Sequence, residues 1–321
     1  MSPGRTRVVA ICGGIGGAKL ALGLTRILPP GDLVVIVNTA DDFEHLSLAI
    51  SPDLDTVMYT LAGLDDPKRG WGRRDETFSF MSALAALGGE TWFALGDGDL
   101  AIHIERTRRL RAGETLSSIA ADFCRRLGVR TSVVPMSDDR VRTRVDTDEG
   151  MLDFQDYFVR RRCTPVVRKV VYEGAERARA HPDALAALQE PSLRAVVICP
   201  SNPLLSIEPV LAVGGMRDTI ARCAAPVVAV SPIIAGRAVK GPTAKMMAEL
   251  GLPVTAAAVA HRYAQLLDGY VLDHADAAGA AAIGMPTATA NTLMITLEDR
   301  EALARDVLAH ADALAAAAES G

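Results

Sequence analysis

The stretch VVAICGGIGGAKLALGL, Val8–Leu24, decides the fold. A run of β-branched and apolar residues enters four glycines in five positions (Gly13, Gly14, Gly16 and Gly17). It leaves as an apolar stretch with helical spacing, so the unit reads as strand, tight turn and helix. The same unit recurs along the chain. DLVVIVN (32–38) precedes a helix at about 53–63, and TWFALG (91–96) precedes one at about 99–110. TSVVPMS (131–137) follows a helix at about 115–127; RAVVICPS (194–201), PVVAVSP (226–232) and GYVLDH (269–274) come later. Apolar runs without alternation, separated by helices, are the pattern of strands buried on both faces. The expected fold is therefore α/β, Rossmann-like, with a mostly parallel sheet covered by helices.

The middle of the chain reads differently. Residues 141–161 alternate with a period of two around TDEG, which predicts a hairpin, and the following stretch to about 191 reads as polar helix. Residues 138–191 are thus expected to form an inserted subdomain, dividing a nucleotide-binding core of 1–137 and 192–321. At the end, Leu303, Val307, Ala311 and Leu314 fall on one helical face and predict a packing helix.

A formal charge of −5 argues against a general nucleic-acid or membrane binder, because such proteins carry a basic surface. The first residues, MSPGRTR, lead straight into a strand pattern, and no apolar run approaches the roughly 20 residues of a spanning helix. Cys12, Cys124, Cys163, Cys199 and Cys223 lie far apart with no C-x-x-C pair. That spacing suits a reducing compartment and argues against structural zinc, so a cytoplasmic location is expected.

Ligands of open α/β sheets bind beyond the carboxyl ends of the strands. The residues expected there are GGIGGAK, NTADD, GDGD, SNPLLS and SPIIAG. The glycine loop satisfies neither phosphate fingerprint: Lys19 stands at the third small position of G-x-G-x-x-G, and Leu20 replaces the P-loop hydroxyl. Its glycines would still permit close backbone approach to an anion at a helix N-terminus. Asp41 and Asp42, with Asn38 and Thr39 before them and Asp53 and Asp55 beyond, form an oxygen-rich set suited to Mg²⁺. Asp53 and Asp55 also suit the first turn of a helix, complementing its dipole. Ser201, Asn202 and Ser206 have no adjacent histidine base, so they read as hydrogen-bonding groups rather than nucleophiles. Lys240, Gly241 and Thr243 open a helix and offer a further anion contact. Asp97 and Asp99 read equally as helix caps, His45 and His103 as structural, and Arg106, Arg108, Arg109 and Arg111 as a solvated helix face.

Taken together, GGIGGAKL, VNTADD, SPDLDTVMYTLAG, LGDGDLAIHIERT, PMSDDRVRT, SNPLLSI and SPIIAGRAVKGPTAKMM, in order from about residue 8 to 250, resemble the 2-phospho-L-lactate transferases of deazaflavin coenzyme F-420 biosynthesis. The resemblance implies Mg²⁺-dependent transfer of a phosphorylated three-carbon acid from a guanosine diphosphate-type donor. The acceptor would be the ribityl hydroxyl of 7,8-didemethyl-8-hydroxy-5-deazariboflavin, with GMP released. It further implies a homodimer acting on small molecules, with no nucleic acid or membrane partner. The Arg- and Ala-rich composition leans towards the phosphoenolpyruvyl rather than the 2-phospho-L-lactyl donor. On this reading Asp42, helped by Asp41 or Asp55, holds Mg²⁺, and Asp41 and Asp42 are the catalytic candidates. Gly13–Gly17, Ser201, Asn202 and Thr243 would then contact donor or acceptor. Ala40 departs from the family spelling, which commonly has glycine there. The competing readings are an NAD-dependent oxidoreductase, disfavoured by Lys19 and the paired acids, and a nucleotide-binding regulator sharing the glycine loop.

Overall fold

The structure, a computed structural model, describes residues 6–239 and 241–320. Seven strands build the central sheet: β1 (Arg7–Cys12), β2 (Leu33–Val37), β3 (Ser132–Pro135), β4 (Leu193–Ile198), β5 (Val227–Val230), β6 (Gly269–Asp273) and β7 (Thr287–Ala290). They lie in the order β7-β6-β5-β4-β1-β2-β3, and every neighbouring pair is parallel. The order reverses direction between β1 and β4, which opens a crevice at their carboxyl ends. Alternate residues of β1 serve opposite faces: Val8, Ala10 and Cys12 join one core, Val9 and Ile11 the other. All five are fully buried, the physical reason these runs carry no polar alternation.

Five helices matter for the site: α1 (Gly14–Ile27), α2 (Pro52–Leu61), α3 (Ser79–Ala86), α4 (Asp97–Arg111) and α5 (Leu116–Arg126). The terminal helix Leu297–Ser320 buries Leu303, Val307 and Ala311 as its spacing predicts, with Ala304 and Leu308 beside them, while Leu314 is only half-buried against the same core. It crosses α1 so closely that a Cβ on Gly23 would lie 2.1 Å from the Arg300 carbonyl oxygen. Lys19 Nζ donates to the Met294 carbonyl at 2.6 Å across the same contact. None of the described helices is long and apolar enough to cross a membrane.

Three expectations are corrected. Residues 91–96 form no strand; Trp92 and Phe93 pack edge-on with Phe43 and His45, and Leu95 joins Ile50 and Met81 in a separate small cluster. Aromatic content made this run look like a strand, but its rings are satisfied by a side hairpin (Phe43–His45 with Leu48–Ile50) rather than by the sheet. The additional parallel strand is β7, TATA, whose small side chains gave no apolar signal. In the insertion, the predicted hairpin is present as Arg142–Thr147 paired with Gly150–Asp153. The stretch beyond it is not all helix: a π-helical turn spans Asp156–Arg160, Val167–Glu173 pairs antiparallel with Arg142–Thr147, and Pro182–Leu188 is the short α-helix before β4. Val167, Val170 and Val171 favour that extended backbone. Val145, Leu152, Tyr157 and Val167 share one core with Val9 and Ile11, so the insertion is a layer on the sheet.

Gly23→Val should insert three carbons into the α1 crossing and cost about 1–3 kcal/mol of stability. Urea unfolding reads this directly; an unchanged midpoint would mean the two helices do not pack this closely.

Candidate active site

Loops from β1, β2 and β4 meet in the crevice, and side chains lock them together. Asn38, fully buried just after β2, donates its amide N–H to Asp53 Oδ2 at 2.9 Å and to the Leu205 carbonyl at 3.2 Å. Its Oδ1 accepts the Ala40 N–H at 3.0 Å. The Ser201 hydroxyl donates to the Gly13 carbonyl at 2.9 Å, and its oxygen accepts the Gly13 N–H at 3.2 Å. Asn202 Oδ1 accepts the N–H groups of Leu204 and Leu205, opening a wide π-type turn over Pro203–Ile207.

Four carboxylates are buried here: Asp41, Asp42, Asp53 and Asp55, each less than a tenth exposed. Two guanidiniums face them, Arg106 and Arg142. Arg106 bonds both oxygens of Asp55, with Nη1–Oδ2 at 3.1 Å. Asp42 Oδ2 accepts the Ser51 hydroxyl at 2.8 Å. Asp41 Oδ1 and Asp42 Oδ1 accept no hydrogen bond, and neither is Asn202 Nδ2 used as a donor.

Acids outnumber cations here: Arg106 pairs with Asp55 and Arg142 lies beside Asp42, which leaves Asp41 and Asp53 with no cationic partner. Burial pushes Asp42 up to about 7, against the pull of Arg142, Ser51 and Arg106. Asp53 rises to about 6, again by burial, opposed by its bond to Asn38 and by the nearby Gly14 N–H and Ser206 hydroxyl. Burial and the charge of Asp53 hold Asp41 well above the carboxylate range. Unpartnered hard oxygens among an excess of buried carboxylates fit a divalent cation such as Mg²⁺, which takes one or two carboxylates and completes its shell from substrate and water. The grouping of Asp55, Asp99 and His103 also gathers ligand-type atoms. There Arg106 already occupies Asp55 and approaches His103 Nδ1 at 3.3 Å, while Asp99 faces His103 Nε2 at 3.1 Å and accepts from Tyr59. A cation at that position would have to displace a buried guanidinium.

The other candidates can now be placed. Thr39 is buried in the Asp42 turn, its carbonyl accepting the Asp42 N–H at 3.3 Å. The glycines of α1 face the protein itself: a Cβ on Gly16 would lie 2.4 Å from the Pro200 carbonyl oxygen, and one on Gly17 2.4 Å from Ser201 Oγ. Ser206 is buried beside Gly13. Thr243 is buried at the start of the helix Thr243–Glu249, and Gly241 is exposed before it. Lys245 and Glu249 of that helix bond Pro165 and Val167 of the insertion, and among the described residues no hydrogen bond joins Gly241 or Thr243 to the aspartates. Lys240 lies outside the described residues. Asp97 caps α3, accepting the N–H groups of Ser79 and Phe80.

Arg106 requires a correction. Grouped by sequence with a solvated arginine face, it is 1% exposed and is the buried counter-ion of Asp55. The spacing of Asp99, His103 and Arg106, four then three residues, puts all three on one helical face and was the readable signal. Arg142, beside Asp42, was missed because its hairpin gave no sign of reaching the crevice.

The raised carboxyl groups set an unusual pH dependence. In the unfolded chain both titrate near 4, roughly. Between that value and about 7 the folded chain binds more protons, so Asp42 and Asp53 make folding less favourable as pH rises. For Asp42 the cost above pH 7 is on the order of 4 kcal/mol, which a bound cation would offset. Millimolar Mg²⁺ should therefore raise Tm by several degrees at pH 8 and far less at pH 5.5, with the response lost in Asp42→Asn. An equal rise at both pH values, or one that survives in the variant, contradicts the assignment.

Comparison with known proteins agrees with this architecture. Residues 8–310 match the family model of 2-phospho-L-lactate transferase CofD. A phosphoenolpyruvate transferase of Streptomyces griseus is 42% identical over 311 residues, covering 94% of this chain and 97% of that protein. The 2-phospho-L-lactate transferase of Methanosarcina mazei is 38% identical over 304 residues, covering 94% and 99%. A solved structure from Bacillus halodurans, described as a member of the upf0052 family, superposes with a TM-score of 0.62 over 96% of this chain and all of that one. At 15% identity it shares the fold alone. The parallel sheet, the crevice loops and the match across nearly the whole chain lead to one assignment: the protein belongs to the 2-phospho-L-lactate transferase CofD family of transferases.

Proposed function

We propose that the protein transfers a phosphoenolpyruvyl group, with 2-phospho-L-lactyl as the alternative, from a guanosine diphosphate-type donor. The acceptor is the ribityl hydroxyl of 7,8-didemethyl-8-hydroxy-5-deazariboflavin, and GMP leaves. The observation that carries this reading is the set of unfilled groups in the crevice. Asp41 Oδ1 and Asp42 Oδ1 offer acceptors, and Asn202 Nδ2 offers a donor. A cation-bound diphosphate presents the complementary set. The phosphoenolpyruvyl choice is supported by the name of the Streptomyces griseus relative, which is more similar to this chain than the Methanosarcina mazei protein.

The acceptor hydroxyl attacks the phosphorus distal to guanosine; the new O–P bond forms as the bond to the GMP oxygen breaks. Such transfers depend on positioning and electrostatics more than on covalent work by the protein. Asp42 would hold Mg²⁺, with Asp41 beside it. Once bound, the ion supplies neutralisation of the diphosphate charge. Asp41, in its carboxylate form, would accept the proton of the attacking hydroxyl through its unpartnered oxygen. Asn202 orients a phosphoryl oxygen through its free N–H. Ser51 holds Asp42 in place, and Arg106 neutralises Asp55 so that the crevice does not carry all four charges.

Purified protein given the deazaflavin and each guanosine diphosphate-linked donor should form GMP and the phosphoenolpyruvyl product, identified by mass spectrometry. Asp42→Ala should lower kcat about 100-fold or more at saturating Mg²⁺. No GMP from either donor, or near-wild-type turnover in the variant, overturns this reading.

A further inference from the structure

In doubly wound folds the N–H groups opening the first helix receive a ligand's phosphate. That position in this protein is taken by its own side chain. Helix α1 starts at Gly14, with no acidic residue in its first turn and no capping side chain from Gly13. The Asp53 carboxylate, brought in by the first turn of α2, lies against the Gly13–Gly14 backbone that opens α1, close enough for the Gly14 N–H to favour its charged form. The glycine loop is moulded to that carboxylate: a Cβ on Gly13 would stand 2.2 Å from Asp53 Oδ2, and one on Gly14 3.7 Å from Oδ1. Gly14 also has φ +61°, a left-handed backbone that favours glycine.

The other side of the carboxylate leads to the reacting aspartates. Asp53 Oδ2 accepts from Asn38, whose own oxygen holds the Ala40 N–H. The Ala40 carbonyl in turn accepts the Thr143 N–H at 2.7 Å, and Asp41 and Asp42 follow directly. We infer that Asp53 is a built-in anion at the phosphate position of α1: it excludes a dinucleotide diphosphate there and, through Asn38, positions Asp41 and Asp42. Asp53 is thus a positioning and specificity residue, and the glycines serve it rather than a nucleotide. Only the cation arm of the test rests on the proposed reaction.

Asp53→Ser should vacate the α1 terminus, while Asp53→Asn keeps it filled. Isothermal titration with inorganic pyrophosphate, without metal, is expected to show at least tenfold tighter binding to the serine variant than to wild type or the asparagine variant. Circular dichroism checks that each is folded. Gly13→Ala, which crowds the carboxylate, supplies a second line. It should weaken Mn²⁺ binding about tenfold while leaving metal-free GDP affinity within twofold of wild type. A folded serine variant with no gain in pyrophosphate binding overturns the inference. So does a Gly13→Ala protein that loses GDP affinity and keeps Mn²⁺ affinity, since the loop would then touch the nucleotide. Wild type that binds no Mn²⁺ counts against the proposed reaction, while the pyrophosphate and GDP comparisons still decide this inference.

Discussion

Burying Asp41, Asp42, Asp53 and Asp55 in one crevice is unfavourable unless each charge is met, and much of the surrounding chain is arranged around meeting them. Asp55 has a guanidinium, supplied by α4 at Arg106. Asp53 has a helix N-terminus and the Asn38 amide. Asp42 has the Ser51 hydroxyl on one oxygen and nothing on the other, and Asp41 likewise keeps a free oxygen. Breaking a buried pair by removing one partner is costly because it strands the other charge. The fold therefore depends on α4 reaching the acidic loop, through Arg106 to Asp55 and the Ala49 carbonyl, and through Thr107 to the Ala49 N–H.

This arrangement separates two jobs that a glycine loop might be asked to do alone. At the end of β1 the loop holds an internal carboxylate and lets α1 lie tightly against Pro200 and Ser201. At the end of β2 the paired aspartates keep their free oxygens. The mismatch of GGIGGAK with both phosphate fingerprints follows: a loop shaped around a carboxylate and the next strand's backbone has no need of their spacing.

Much of the fold was legible because β1, β2, β4, β5 and β6 are covered on both faces and so are apolar along their middles, with polar residues only near their ends. Where that reason failed, the reading failed. Trp92 and Phe93 are apolar without being in the sheet, and Thr287–Ala290 is in the sheet without being strongly apolar. The acidic candidates were visible as oxygen-rich loops after strands, a matter of local sequence. Their partners were not: Arg106 is some fifty residues from Asp55 and surrounded by arginines that are solvent-facing or differently paired. SPDLD was readable as a helix start, and Asp53 does open α2, but its reach to α1 is a long-range contact that no local pattern encodes.

The central claim is that the unpartnered oxygens of Asp41 and Asp42, in a crevice with more buried carboxylates than guanidiniums, make a divalent-cation site at the carboxyl ends of the strands. Anomalous diffraction from crystals soaked with Mn²⁺ and GDP tests it most directly. The account predicts a single strong peak within bonding distance of Asp42 Oδ1, with Arg106 still paired to Asp55 and Asp53 still against Gly14. A peak bound instead by Asp55, Asp99 and His103 with Arg106 displaced, or no peak in the crevice, would contradict it.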